Sequence, residues 1–325
     1  MAVVDLDVGI LGSLEVVVAG RRVGIPAGKQ RSLLVLLTLR APQPVSAEVV
    51  AEALWPDASP QQALRSLPVT VSRLRRSLGD AAPALETVAA GYRFAIPPVA
   101  CDFARFERLV HQGTWALARS DAAEALAALE EALALWRGPA LADVAYEGFA
   151  QAEIRRLEEL RGAAVEARVD AAMALGREAT LVGELQAMVA TNPTRERLAE
   201  QLMTVLYRTG RQAEALEVYR HIRSHLSGEL GLEPAPRLKA LQAAIFDQSP
   251  ALSTSTPVTA AVRRRRPMAT GARPPRIPSP RERRRCRRGY RAVRRRFRSR
   301  PRGQSAARST SSTCGGSCSN RSHGS

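Results

Sequence analysis

The run Ser59-Pro60-Gln61-Gln62-Ala63-Leu64-Arg65-Ser66-Leu67-Pro68-Val69-Thr70-Val71-Ser72-Arg73-Leu74-Arg75-Arg76-Ser77-Leu78-Gly79 decides how the chain is read. Leu67, Val71, Leu74 and Leu78 recur at helical spacing and form one apolar stripe. Arg65, Val69, Thr70, Arg73 and Arg76 fall on the other side. Ser59 followed by Pro60 and Gln62 predicts a capped start, and Gly79 a stop. The stretch therefore predicts a helix over 60–78, anchored on one face and basic on the other. Arginine forks fit guanine edges and phosphates, and Ser or Thr contacts either, so the helix has the chemistry to enter a DNA major groove. A basic helix with a merely solvated outer face shows the same pattern, so its neighbours must decide.

Working outward, residues 6–25 alternate apolar and polar between turns at Gly12-Ser13 and Ala19-Gly20, predicting short antiparallel strands over 8–11, 14–18 and 22–25. Leu33, Leu34, Leu36, Leu37 and Leu39 mark a first helix over 29–41, and Ser46 caps a second over 47–54. Leu85–Val88 and Tyr92–Ile96 flank Ala89-Ala90-Gly91, a hairpin whose tip needs the backbone freedom of Gly91. Gly24 to Lys29 is one residue short of a phosphate loop, and Gln30 stands where Ser or Thr would hold magnesium, so no nucleotide site is expected.

From Asp102 the pattern becomes nearly continuous helix, predicted near 102–118, 121–136, 147–175, 177–191, 194–208, 211–228 and 235–247. Leu175-Gly176-Arg177-Glu178-Ala179 and Thr209-Gly210-Arg211-Gln212-Ala213 lie 34 residues apart, the tetratricopeptide period. Stacked helix pairs of this kind leave a groove suited to a partner. Trp115, Trp136 and Tyr146 are expected to be packing anchors. His221 and His225 share a helix face but lack an obvious third ligand, so no metal site is expected. No nucleophile elbow, catalytic carboxylate pair or dinucleotide fingerprint is present, and neither an enzyme nor a cofactor is expected.

The whole-chain charge of +17 misleads. Residues 248–325 hold 21 arginines and one acid, a net of +20, leaving −3 for the rest. Residues 1–98 carry +2 and residues 99–247 carry −5. No long apolar run or signal segment is seen, and a single cysteine, Cys101, precedes residue 280, so a cytoplasmic protein without a membrane span or disulfide framework is expected.

Strands, three helices and a terminal hairpin follow the order of an OmpR-type winged helix. Through Gly9–Val16, Lys29–Leu34, Ala53–Asp57, Val71–Gly79, Gly91–Phe94, Ala134–Pro139, Arg156–Arg161, Leu206–Leu216 and Glu229–Pro234, among other stretches, the chain resembles the Streptomyces antibiotic regulatory protein family. The resemblance implies a mainly α chain: a winged helix-turn-helix DNA-binding domain over 1–98, an all-α, tetratricopeptide-like bacterial transcriptional activator domain over 99–247, and then the tail. It makes 60–78 the recognition helix, with Arg65, Ser66, Val69, Thr70, Arg73 and Arg75 facing DNA and Arg93 of the wing reaching a minor groove or phosphate. It also implies activation of a secondary-metabolite (antibiotic) gene cluster, with self-association on direct repeats of double-stranded DNA and contact to RNA polymerase. Pro68 departs from the family, which usually has a polar residue there. An interior proline deletes a hydrogen bond at a cost of roughly 3 kcal/mol, so the helix either kinks at 64–65 or restarts with Ser66 as cap.

Residues 248–325, rich in Arg, Pro, Ser and Gly, read as disordered, or as an out-of-frame product of GC-rich DNA. In the latter case third-position GC bias vanishes near codon 250. Arg263–Arg266, Arg283–Arg285 and Arg294–Arg296 would bind any polyanion. The rival to a regulator is a helical-repeat scaffold or sensor that binds a protein or small molecule.

Overall fold

Each strand of the front half is short, and three of them close one small sheet. The computed structural model describes residues 5–253. β1 (Leu6–Gly9), β2 (Glu15–Val18) and β3 (Arg21–Arg22) pair antiparallel in that order. Leu6, Val8, Val16 and Val18 bury one face, as strand alternation requires. The strands are shorter than the alternation suggested, because Ile10, Leu11 and Ile25 leave the sheet and are still buried.

Three helices follow: α1 (Lys29–Arg40), α2 (Ala47–Leu54) and α3 (Pro60–Leu78). Ser46 and Ser59 cap α2 and α3 by accepting the Val49 and Gln62 amides. Ala63, Leu67, Val71, Leu74 and Leu78 are all buried in the winged-helix core, where α3 packs on α1 and α2, each contributing about 1.5–3 kcal/mol for a Val or Leu. α3 runs unbroken through Pro68, so the restart at Ser66 does not occur. The Ser66 hydroxyl instead donates back to the Gln62 carbonyl, and Thr70 to the Ser66 carbonyl. Pro68 is exposed, and its ring clears the core.

β4 (Leu85–Val88) and β5 (Gly91–Phe94) form the hairpin, pairing Leu85 with Phe94 and Glu86 with Arg93. Gly91 (φ 131°) is required by a close approach as well as by the turn. A Cβ there would lie 2.2 Å from the Val45 carbonyl oxygen, where Val45 and Tyr92 exchange backbone hydrogen bonds.

The second half comprises α4 (Asp102–Ala118), α5 (Ala122–Ala134), α6 (Gln151–Ala174), α7 (Glu178–Thr191), α8 (Glu196–Arg208), α9 (Gln212–Glu229), α10 (Pro236–Phe246) and a last turn, α11 (Pro250–Ser253). The 34-residue period is a structural repeat. Arg177 N donates to Ala172 O at the end of α6, and Arg211 N to Leu206 O at the end of α8, with Gly176 and Gly210 both left-handed between. The α4–α5 turn closes in the same way, Asp121 N to Ala116 O, with Ser120 in the left-handed position. Order extends past the expected start of the tail: Ser249 N donates to Ala244 O, Arg208 Nε to Leu252 O, and Leu252 packs on the helical core. The arginine runs of the tail lie outside the described residues.

The two halves are joined through buried polar contacts. The Asp102 carboxylate, 1% exposed, accepts Ile10 N at 2.8 Å, Leu11 N at 3.0 Å and Arg137 Nη2 at 3.0 Å. Arg137 N and Leu141 N donate to Leu11 O and Ile10 O. Asp143 accepts Leu14 N and pairs with Arg31, while Glu147 pairs with Lys29 and accepts the Ser32 hydroxyl. Leu141, Val144 and Ala150 belong to the winged-helix core, and Leu11 to the α4–α6 core. The apolar clusters therefore cross the boundary expected at 98/99.

Cys101 sits in this junction. Burial, with Asp102 and Asp7 beside it, pushes its thiol up to about 12. At pH 8 the native protein is expected to leave Cys101 unmodified by iodoacetamide, as read by peptide mapping. Urea-unfolded protein should label fully, and rapid native labelling would contradict the packing.

Candidate nucleic-acid interface

The outward side of α3 forms one wall of an open groove of about 580 Å³. Gln62, Arg65, Ser66, Val69, Thr70 and Arg73 line that wall, while Trp55 and the start of α1, Ala27, Lys29 and Gln30, line the other. The spacing of Gln62, Ser66, Val69 and Arg73 puts them on one helical face. Arg65 and Arg73 are exposed and make no ion pair among the described residues. Lys29 is paired with Glu147, and no carboxylate lines the groove. Val69, 52% exposed, sits among these cations and offers a methyl surface of the kind that meets a thymine. Arg76 is exposed but lies outside the groove lining.

Arg75 is placed differently from the sequence reading. The helical wheel sets it beside Arg76, but its guanidinium reaches back over the hairpin. Nε and Nη2 donate to Leu85 O at 2.9 and 2.7 Å, and Nη2 to Thr87 Oγ1 at 2.9 Å. It ties the wing to α3. Arg93 is held across the hairpin by Glu86, with Nε at 2.8 Å, and its side chain stays 40% exposed. Its cation is present in the wing but neutralised. Arg75→Ala is expected to destabilise by about 1–3 kcal/mol through the orphaned Leu85 carbonyl, with faster hydrogen exchange at the hairpin amides. Unchanged exchange there would contradict the tie.

Comparison with known proteins agrees with this architecture. The pattern described as "Transcriptional regulatory protein, C terminal" matches residues 25–94, and "Bacterial transcriptional activator domain" matches residues 101–246. The transcriptional regulator RedD of Streptomyces coelicolor is 38% identical over 253 residues, 76% of this chain and 72% of that one. The regulatory protein DnrI of Streptomyces peucetius is 36% identical over 261 residues, 78% of this chain and 96% of that one. The chain belongs to the Streptomyces antibiotic regulatory protein family. A solved structure of Mycobacterium tuberculosis EmbR, in complex with a low-affinity phosphopeptide, superposes with a TM-score of 0.73 at 34% identity, covering 78% of this chain and 69% of that one. The protein is thus a transcriptional regulator, mainly helical, with a winged helix followed by the helical activator domain.

Two of the stretches that carry the family resemblance, Gly9–Val16 and Ala134–Pro139, turn out to be two sides of one contact. Arg137 reaches Leu11, Asp102 and Glu15 across it. Sequence reading missed Gln62, which the helical spacing from Ser66 could have supplied. It also missed Ala27, Lys29, Gln30 and Trp55, which come from elements that only folding brings to the groove. Of the aromatic trio, only Trp136 is a packing anchor, edge-on to Phe106 at 5.3 Å. Trp115 is 54% exposed with Arg119 stacked on it, and Tyr146 is fully exposed. His225 pairs with Glu229, and among the described residues no group of His, Cys, Asp or Glu is placed to hold a metal. No helix among them is long and apolar enough to cross a membrane.

Proposed function

We propose that the protein activates a secondary-metabolite gene cluster by setting the outward face of α3 into the major groove of promoter DNA. One observation carries this reading: Arg65 and Arg73, unpaired among the described residues, stand with Ser66, Val69 and Thr70 along one carboxylate-free groove on a helix fixed by five buried side chains. Arg65 and Arg73 supply forks for guanine or phosphate, Ser66 and Thr70 supply hydroxyls that reach either by turning away from the Gln62 and Ser66 carbonyls, and Arg93 of the wing makes a backbone contact by exchanging Glu86 for a phosphate. Residues 1–247 carry a net −3, so affinity depends on this local face more than on an overall field. Two copies on direct repeats, and contact of the helical half with RNA polymerase, complete the proposal. The exposed Trp115–Arg119 pair suits such a protein contact.

Footprinting the full chain on the DNA upstream of its own gene, with unrelated competitor DNA, tests it. Two adjacent protected segments in direct repeat are expected, with a matching rise in transcript when polymerase is added. Protection that competitor removes evenly would contradict it.

A further inference from the structure

Tyr146 is fully exposed, yet the turn that carries it is held at nearly every residue. Asp143 is bonded to Leu14 N and Arg31, Val144 is buried, the Ala145 carbonyl accepts the Gln151 amide, and Glu147 N donates to Val144 O. The Glu147 carboxylate then holds Lys29 at 3.1 Å and Ser32 at 3.0 Å, both at the start of α1. Lys29 lines the α3 groove. Through Glu147 and Lys29 this turn of the helical domain is tied to a residue that lines the winged-helix groove, and its phenol is exposed to solvent.

The geometry points to a second DNA contact, made by the helical domain: the Tyr146 hydroxyl donates to a backbone phosphate beside the duplex segment that α3 reads. This rests on the DNA-binding reading above. The chemistry fits a phosphate better than a base edge. Tyrosine is among the side chains that position proteins on the backbone through an O–H donor. The two carboxylates flanking it are each neutralised, Asp143 by Arg31 and Glu147 by Lys29, so an approaching phosphate meets no bare negative charge. The locked turn removes the ordering cost that a mobile loop would add on binding. The contact would also make the domain junction part of the DNA-binding surface, since Asp143 and Glu147 set the position of Tyr146 and the register of the two halves together.

The test uses the full chain and fluorescence anisotropy with a labelled duplex from its own upstream DNA and an unrelated duplex of equal length. Tyr146→Phe keeps the ring and removes only the donor. It is expected to weaken both complexes by about 10- to 150-fold, the scale of one hydrogen bond to a charged group, with no change in the salt slope because no cation is lost. Tyr146→Ala should lose at least as much while melting as the wild type does. Arg73→Ala runs beside them and should weaken the specific duplex more than the unrelated one. Wild-type affinity in Tyr146→Phe and Tyr146→Ala, with Arg73→Ala impaired, overturns the Tyr146 contact and leaves the DNA reading standing. If Arg73→Ala is also unaffected, the DNA reading itself fails. Wild-type DNA affinity with reduced transcript yield in Tyr146→Phe places the residue against polymerase and likewise overturns the contact.

Discussion

Asp102→Ala is expected to cost about 3–5 kcal/mol of stability, mostly from two buried amides left without an acceptor at about 1–3 kcal/mol each, with the ion pair to the partly exposed Arg137 adding the rest. The carboxylate accepts two backbone amides from the β1–β2 turn and the Arg137 guanidinium, and it is itself 1% exposed. Its removal leaves the Ile10 and Leu11 N–H groups buried without an acceptor. For a domain of this size the loss corresponds to roughly 6–20 °C in the melting midpoint. Asp102→Asn keeps one acceptor oxygen and should fall between the variant and the wild type. The measurement also tests the joined architecture. The wild type should unfold in one transition read alike by near-UV signal and by hydrogen exchange in both halves, and Asp102→Ala should separate them. Two transitions already present in the wild type would contradict the shared core.

The double variant Arg65→Ala/Arg73→Ala is expected to lose about 2–6 kcal/mol of promoter affinity, or roughly 30- to 10⁴-fold, at about 1–3 kcal/mol per contact. Both side chains are exposed and make no ion pair among the described residues, so their removal should leave the melting midpoint within a degree or two. Titration against upstream DNA in the presence of competitor gives the number. The competitor matters because residues 248–325 carry 21 arginines, which would bind any duplex through counterion release.

How far the sequence could be read depended on whether the signal was local. Leu67, Val71, Leu74 and Leu78 lie within four turns of one another, and their spacing alone orients α3. Gly176 and Gly210 mark the helical repeat because a left-handed helix end favours glycine. The equivalent turn after α4 is built on Ser120, and the same search passes it by. The Asp102 junction joins residues 92 positions apart, and no periodicity records such a contact. Arg75 shows a different limit. A helical wheel gives the direction of a Cβ but not the reach of a guanidinium, which here extends to a carbonyl ten residues on. Tyr146 was expected to be packed because aromatic residues usually are, whereas its turn is held by the backbone and by its polar neighbours.

The most direct measurement is the ratio of the full chain's affinities for its own upstream DNA and for an unrelated duplex of equal length, compared between wild type and Arg65→Ala/Arg73→Ala. The account predicts a ratio of about 10³ or more for the wild type, falling toward one in the variant. A wild-type ratio near one, or a high ratio that the variant retains, would contradict it.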